Sequence, residues 1–135
     1  MKQADLKNGD VYTAFVRFAE DIHNDVNPKG KIRPVIIFED PEEGKLYACK
    51  VSTKVDKPIK RRLGYVLEDW KEAGFKAPSV IACDKENIHE IDSTSIDKFI
   101  GRLTERDLKG MLIKHIKVVA MEYKKNKEKG NSLER

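Results

Sequence analysis

Between Ile32 and Phe38 the chain reads Ile-Arg-Pro-Val-Ile-Ile-Phe, and no other stretch constrains the fold as much. Val35 to Phe38 are consecutive apolar residues, mostly β-branched, and predict a strand buried inside a sheet. Pro34 has no N–H to give a ladder, so it belongs at the start of that strand. It also pushes Arg33 toward an extended conformation. Arg33 is thereby held on the strand's rim, at the end of the polar loop Asp21–Lys31. A permanently charged, forked donor in such a place suits phosphate or carboxylate recognition. The other reading is a surface arginine at a strand end.

The remaining pattern is one of short strands. Asp10–Glu20 alternates, with Val11, Thr13, Phe15, Arg17 and Ala19 on one side. Asp40–Gly44 has Pro41 and Gly44 where a tight hairpin wants them. Leu46–Val51 returns as a third strand and ends at Ser52 and Thr53. Gly64–Ala73 is ambiguous; Leu67, Trp70 and Lys71 allow a helical turn with Gly74 at its C′ position. Pro78–Asp84, Ile88–Ile91 and Phe99–Leu103 complete the strands.

A helix closes the pattern. Thr104 followed by Asp107 resembles a capping box, with Asp in place of Glu or Gln. Leu108, Met111, Leu112, His115, Ile116, Val119 and Tyr123 then recur at helical spacing and predict the buried face. From Lys124 the helix is expected to fray into a solvated tail. The expected fold is α+β: about six short strands bent into a small barrel, with a C-terminal amphipathic helix. Residues 1–123 form its one domain and 124–135 the basic tail.

The chain has 135 residues, 39% hydrophobic and 37% charged. None of its apolar runs approaches the ~20 residues of a membrane span, and Met1–Asp5 lacks the apolar core of a signal peptide. The expectation is a cytoplasmic protein without a membrane partner. Cys49 and Cys83 lie in apolar runs and read as buried core residues. No Cys/His spacing suggests zinc, so neither metal nor cofactor is expected. Most of the net charge of +4 sits in the tail, but Lys54–Arg62 holds five cations against Asp56 alone. That run reads either as a phosphate-backbone contact or as a solvated loop.

Five segments, read in order, resemble the MazF/PemK toxins of bacterial toxin–antitoxin systems. They are Gly9–Tyr12, Ile32–Ile37, Val51–Lys54, Pro78–Lys85 and Ile100–Leu108. The resemblance spans roughly residues 8–123. It implies an SH3-like (CcdB/PemK-type) barrel that forms a homodimer. It also implies an endoribonuclease, an mRNA interferase, that cuts single-stranded RNA without metal and is inhibited by a cognate antitoxin. By the same resemblance Arg33 is catalytic, Ser52 with Thr53 beside it holds the scissile phosphate, and Asp84 is an active-site member. The chain departs from the family in its longer loop before Arg33, where Asn27–Lys31 replaces a stretch bearing a carboxylate. It departs again at Ala82, where some relatives carry a basic residue.

Metal-free RNA cleavage needs a base for the 2′-OH, a cation for the crowded phosphorane and an acid for the leaving 5′-oxygen. Arg33 supplies the cation with a bidentate grip. Ser52 or Thr53 orients a non-bridging oxygen, and Asp84 is the base or the residue that orients Arg33. His23, in the long loop, is a candidate acid; a plain surface histidine is the other reading. His115 reads as a core or interface residue. Lys31, Lys54, Lys57, Lys60, Arg61 and Arg62 are expected along the RNA backbone. Tyr65 is a candidate stacking surface, as are Tyr47 and Trp70, although a lone Trp reads first as core. A different class of function stays open: a non-catalytic barrel that binds RNA, or that inhibits DNA gyrase through its helix face.

Overall fold

In the computed structural model, the backbone is described over residues 6–17 and 31–133, and side chains over 6–17 and 31–125. The elements run β1 (Asp10–Val16), β2 (Lys31–Glu39), β3 (Leu46–Ser52), α1 (Pro58–Leu63), β4 (Gly64–Val66), β5 (Val80–Ala82), β6 (Ile88–Ile91), β7 (Ile96–Arg102) and α2 (Glu105–Leu133). Short 3₁₀ turns at Lys85–Asn87 and Ser93–Ser95 precede β6 and β7. All strand pairs are antiparallel. The order is β4-β5-β3-β2-β1-β7, with β6 also pairing β3.

The run Val35–Phe38 is apolar throughout because both faces of its strand are covered. Val35 and Ile37 join Tyr12, Ala14, Val16, Leu46 and Ala48 in one buried cluster. Ile36 joins Val11, Cys49, Ile81, Cys83, Met111 and Val118 in the other, the face that α2 covers. Ile91 and Ile96 pack on the first cluster, and the connection between them explains how. β6 and β7 flank β3-β2-β1 on opposite sides, four strand positions apart. In a flat sheet that separation is about 19 Å. The linker 92–95 reaches at most about 17 Å when fully extended, and part of it is coiled as 3₁₀ helix. The sheet must therefore curl.

The curl does not close. β6 and β7 do not pair, so the structure is a seven-stranded antiparallel sheet with one long C-terminal helix, not a hydrogen-bonded barrel. The additional strand is β4, in the segment whose sequence was ambiguous. The helical turn expected there follows β4: Phe75 N–H donates to Trp70 C=O at 3.0 Å, and Gly74 takes φ +96°. Trp70 packs against the α2-side core, and the Lys71 ammonium lies 5.3 Å from its ring centroid.

Two helical expectations are corrected. The basic run is not all loop: Pro58 starts α1, its locked φ suited to a first helical turn. A Cβ on Gly64 would lie 2.7 Å from Lys60 O and 2.8 Å from Ile81 O, so glycine lets α1 turn straight into β4. The second correction is the phase of α2. Among its described residues Asp107, Met111 and Val118 are buried, and Leu108 packs on the core as expected, whereas Leu112, Ile116 and Tyr123 are exposed with Ile113 and Met121. The apolar arc is wider than the sheet can cover. Nor does α2 end at Lys124; its backbone continues to Leu133.

Candidate functional site

β2 places Arg33. Its backbone pairs with Ala14 of β1 on one side. On the other side the ladder with β3 runs from Glu39↔Leu46 to Val35↔Lys50 and stops, just before Pro34, which has no N–H to continue it. The same register carried two residues further sets Arg33 level with Ser52. Alternation puts both on one sheet face, in phase with Val35 and Ala48. Arg33 is only 8% exposed, so the sheet holds its guanidinium rather than leaving it to sweep through solvent.

Ser52 ends β3 in a turn of its own. Lys54 N–H donates to Ser52 Oγ at 3.1 Å. With that acceptor position taken, the hydroxyl still has its proton to donate, as an anionic oxygen requires. Ser52 lines a cleft of about 80 Å³ with Lys50, Lys60, Asp84 and Asn87. The cleft exists because β3 changes partner there, from β6 up to Cys49 to β5 from Val51. Between those strands the chain leaves the sheet through Asp84 and the 3₁₀ turn. Asp84 is 6% exposed, and its Oδ2 accepts from Asn87 Nδ2 at 2.8 Å. A carboxylate aimed in this way can take a proton or hold a cation. Arg33 and Thr53 do not line the cleft; Thr53 is exposed just past the strand end.

The basic residues divide by position. Lys60 reaches the cleft. Arg61 Nε donates to Val55 C=O at 2.7 Å and braces the turn before α1. Arg62 faces a second, larger groove that shares Leu63 and Asp84 with the cleft and carries Lys124 and Lys125 on its far wall. Lys31, Lys54 and Lys57 are exposed. Tyr65 is engaged elsewhere: its hydroxyl donates to Asp107 Oδ1 at 2.8 Å, and a Cβ on Gly110 would run into its ring. Burial, then the bond to Asp107, pushes the phenol pKa upward. Tyr47 lines an apolar groove with Phe38, His115 and Val119.

No protein-family model matches the chain, and no curated protein matches it.

Among the described residues, no three His, Cys, Asp or Glu side chains are placed to hold a metal ion, and no helix is long and apolar enough to cross a membrane. Cys49 and Cys83 are free and buried. Burial pushes the Cys83 thiol up to about 12 and that of Cys49 further still, so neither is a ready nucleophile. His115 Nδ1–H donates to Cys83 C=O at 2.8 Å, and His89 Nε2–H to Glu86 C=O at 2.8 Å. His23 and the rest of the loop 18–30 lie outside the described residues.

Lys50 went unremarked in the sequence; its signal is that it shares an alternation phase with the apolar Leu46 and Ala48. Asp107 was read only as half of a capping box, and its N–H does donate to Thr104 Oγ1 at 3.4 Å. Its carboxylate does not reach back to Thr104. It accepts instead from Tyr65 OH, Glu68 N–H and Asp69 N–H at 2.8–3.0 Å. No local spacing announces those partners, which lie about forty residues away.

Proposed function

We propose that the protein is the toxin of a toxin–antitoxin pair, a metal-independent endoribonuclease of the MazF/PemK kind acting on single-stranded RNA. The curled sheet under α2 is then an opened form of the SH3-like barrel of that family. One observation supports this reading above the others. The last β2–β3 pair is Val35↔Lys50, and that register carried two residues further sets Arg33 opposite Ser52, which lines one cleft with buried Asp84.

In this scheme the 2′-oxygen attacks phosphorus and the bond from phosphorus to the 5′-oxygen breaks. Asp84 takes the 2′-OH proton, and the leaving 5′-oxygen takes one from solvent water. The Arg33 fork stabilises the charge that grows on the non-bridging oxygens. The Ser52 hydroxyl orients one of them. Products are a 2′,3′-cyclic phosphate and a 5′-OH. Cleavage of single-stranded RNA in EDTA with those ends is the expected result; strict Mg²⁺ dependence or 5′-phosphate ends contradict it.

The cations near the cleft are assigned to affinity. Each phosphate contact to a single strand contributes about −0.7 to the log–log salt slope. Neutralising Lys60, Arg61 and Arg62 together is expected to flatten the slope by up to about two units. The rate of the saturated complex should hold, because these charges serve ground and transition states alike. An unchanged slope places the RNA path elsewhere.

The exposed stripe Leu112, Ile116 and Tyr123 is proposed as the seat of a second copy, making a homodimer whose joint groove spans several nucleotides, with the antitoxin as its inhibitor. Sedimentation at micromolar concentration should then show twice the 15.5 kDa chain mass, and Ile116→Glu should return it to monomer. A parent protein that stays monomeric contradicts this. The same stripe favours the rival reading of a gyrase-binding module, which predicts no cleavage in the EDTA assay.

A further inference from the structure

The scheme above leaves one buried cation unused. Lys50 is 7% exposed, yet it lines the same cleft as Ser52 and Asp84. Its phase along β3, shared with buried Leu46 and Ala48, turns a charged side chain inward. The register shows where its length fits. The pairs Ser52↔Val80 and Val51↔Ile81 continue to place Ala82 across from Lys50. Ala82 also lines the cleft, and its side chain ends at Cβ, leaving room for the lysine stem. Lys50 pairs with Val35 of β2 on one side; on the other, the β6 pairs end at Cys49 and the β5 pairs begin at Val51, so the strand change that opens the cleft falls at this residue.

The donors gathered here suit an oxyanion. Among the described residues that line it are two ammonium groups, Lys50 and Lys60, and one carboxylate, Asp84, which accepts from Asn87. The Ser52 hydroxyl has its proton to offer. An ammonium carries three donors, so a contact within the protein does not exhaust it. We infer that Lys50 is a phosphate-binding residue: with the Ser52 hydroxyl it grips a non-bridging oxygen of an RNA phosphodiester seated in the cleft. The inference rests on the ribonuclease reading for the identity of that phosphodiester. It separates two tasks, since Arg33 answers charge that develops in the reaction while Lys50 holds charge already present on the bound strand.

The test uses a short single-stranded 2′-O-methyl RNA, which binds but has no 2′-OH to attack. Lys50→Met is expected to weaken its binding about tenfold, as loss of a charge-assisted hydrogen bond implies, and to flatten the salt slope by about 0.7. Lys50→Arg should recover most of both. Equal affinity and slope in a folded Lys50→Met overturn the inference. Should that variant fail to fold, the unaltered protein decides: with ¹³C-labelled lysine, the oligonucleotide should shift the Lys50 Cε resonance, and no shift overturns the assignment. The two readings fail separately. A parent that binds the oligonucleotide through Lys50 but leaves unmodified RNA uncut removes the nuclease and keeps the site. A parent that cuts RNA while Lys50→Met binds and cuts equally well removes the site and keeps the nuclease.

Discussion

Arg33→Ala is expected to lower single-turnover cleavage of single-stranded RNA about a hundredfold or more, the usual effect of removing one transition-state donor. The size follows from placement. The β2–β3 ladder stops at Val35↔Lys50, before Pro34, and the same register carried two residues further sets Arg33 opposite Ser52. The guanidinium is held by a buried sheet, so little reorganisation is needed when charge develops on the phosphorane. Arg33→Lys keeps the charge and loses the fork, so it should recover only part of the rate. Rates are read together with a urea melt of each variant, because Arg33 is itself buried. A folded Arg33→Ala that cleaves like the parent moves the active site elsewhere.

The second large effect is on stability. Asp107→Ala is expected to cost about 3–5 kcal/mol, a large part of the 5–15 kcal/mol typical of a domain. The Asp107 carboxylate is fully buried and accepts from Tyr65 OH, Glu68 N–H and Asp69 N–H. Alanine leaves all three donors without an acceptor, each costing roughly 1–3 kcal/mol where water does not reach it. Beside it Asp69 accepts from Thr104 Oγ1 at 2.6 Å and pairs with Arg106. These contacts latch the start of α2 to the turn after β4. Asp107→Asn keeps one acceptor oxygen and turns an NH₂ toward donors, so it should fall between the parent and Asp107→Ala. Urea denaturation checks the order. An Asp107→Ala midpoint equal to the parent's would mean that the latch carries no weight.

The Asp69 carboxyl is held below its usual range, first by the hydrogen bond from Arg106 and then by that from Thr104. A depressed folded-state value means that its contribution is present above the ordinary carboxylate pKa. It is lost as pH falls through the folded value.

Some of this structure could be read from neighbours in sequence. The buried strand at Val35–Phe38, the positive φ at Gly74 and the Thr104 cap all depend on residues within a few positions of one another. The pairing of Arg33 with Ser52 came from a resemblance, and the register of β2 on β3 is consistent with it. What escaped depends on partners far along the chain. Gly64–Val66 is a strand because β5 offers it an edge. The phase of α2 is set by which arc meets the sheet, and an arc with Leu112, Ile116 and Tyr123 on it has more apolar residues than that contact needs. Lys50 gains its place only where β5 replaces β6 beside it. Barrel closure failed as an expectation for a related reason: periodicity shows that strands exist, but the last pair, β6 with β7, depends on curvature that no local pattern encodes.

The most direct measurement compares two RNAs in EDTA. The first is a mixed-sequence single strand whose cut sites and end groups are mapped. The second is identical but carries 2′-deoxyribose on the 5′ side of one mapped cut. The account predicts 2′,3′-cyclic phosphate and 5′-OH ends in the first RNA, with cleavage abolished in the second at the deoxy position alone, because the attacking oxygen has been removed. Cleavage that persists at the deoxy position, or 5′-phosphate ends, would contradict it.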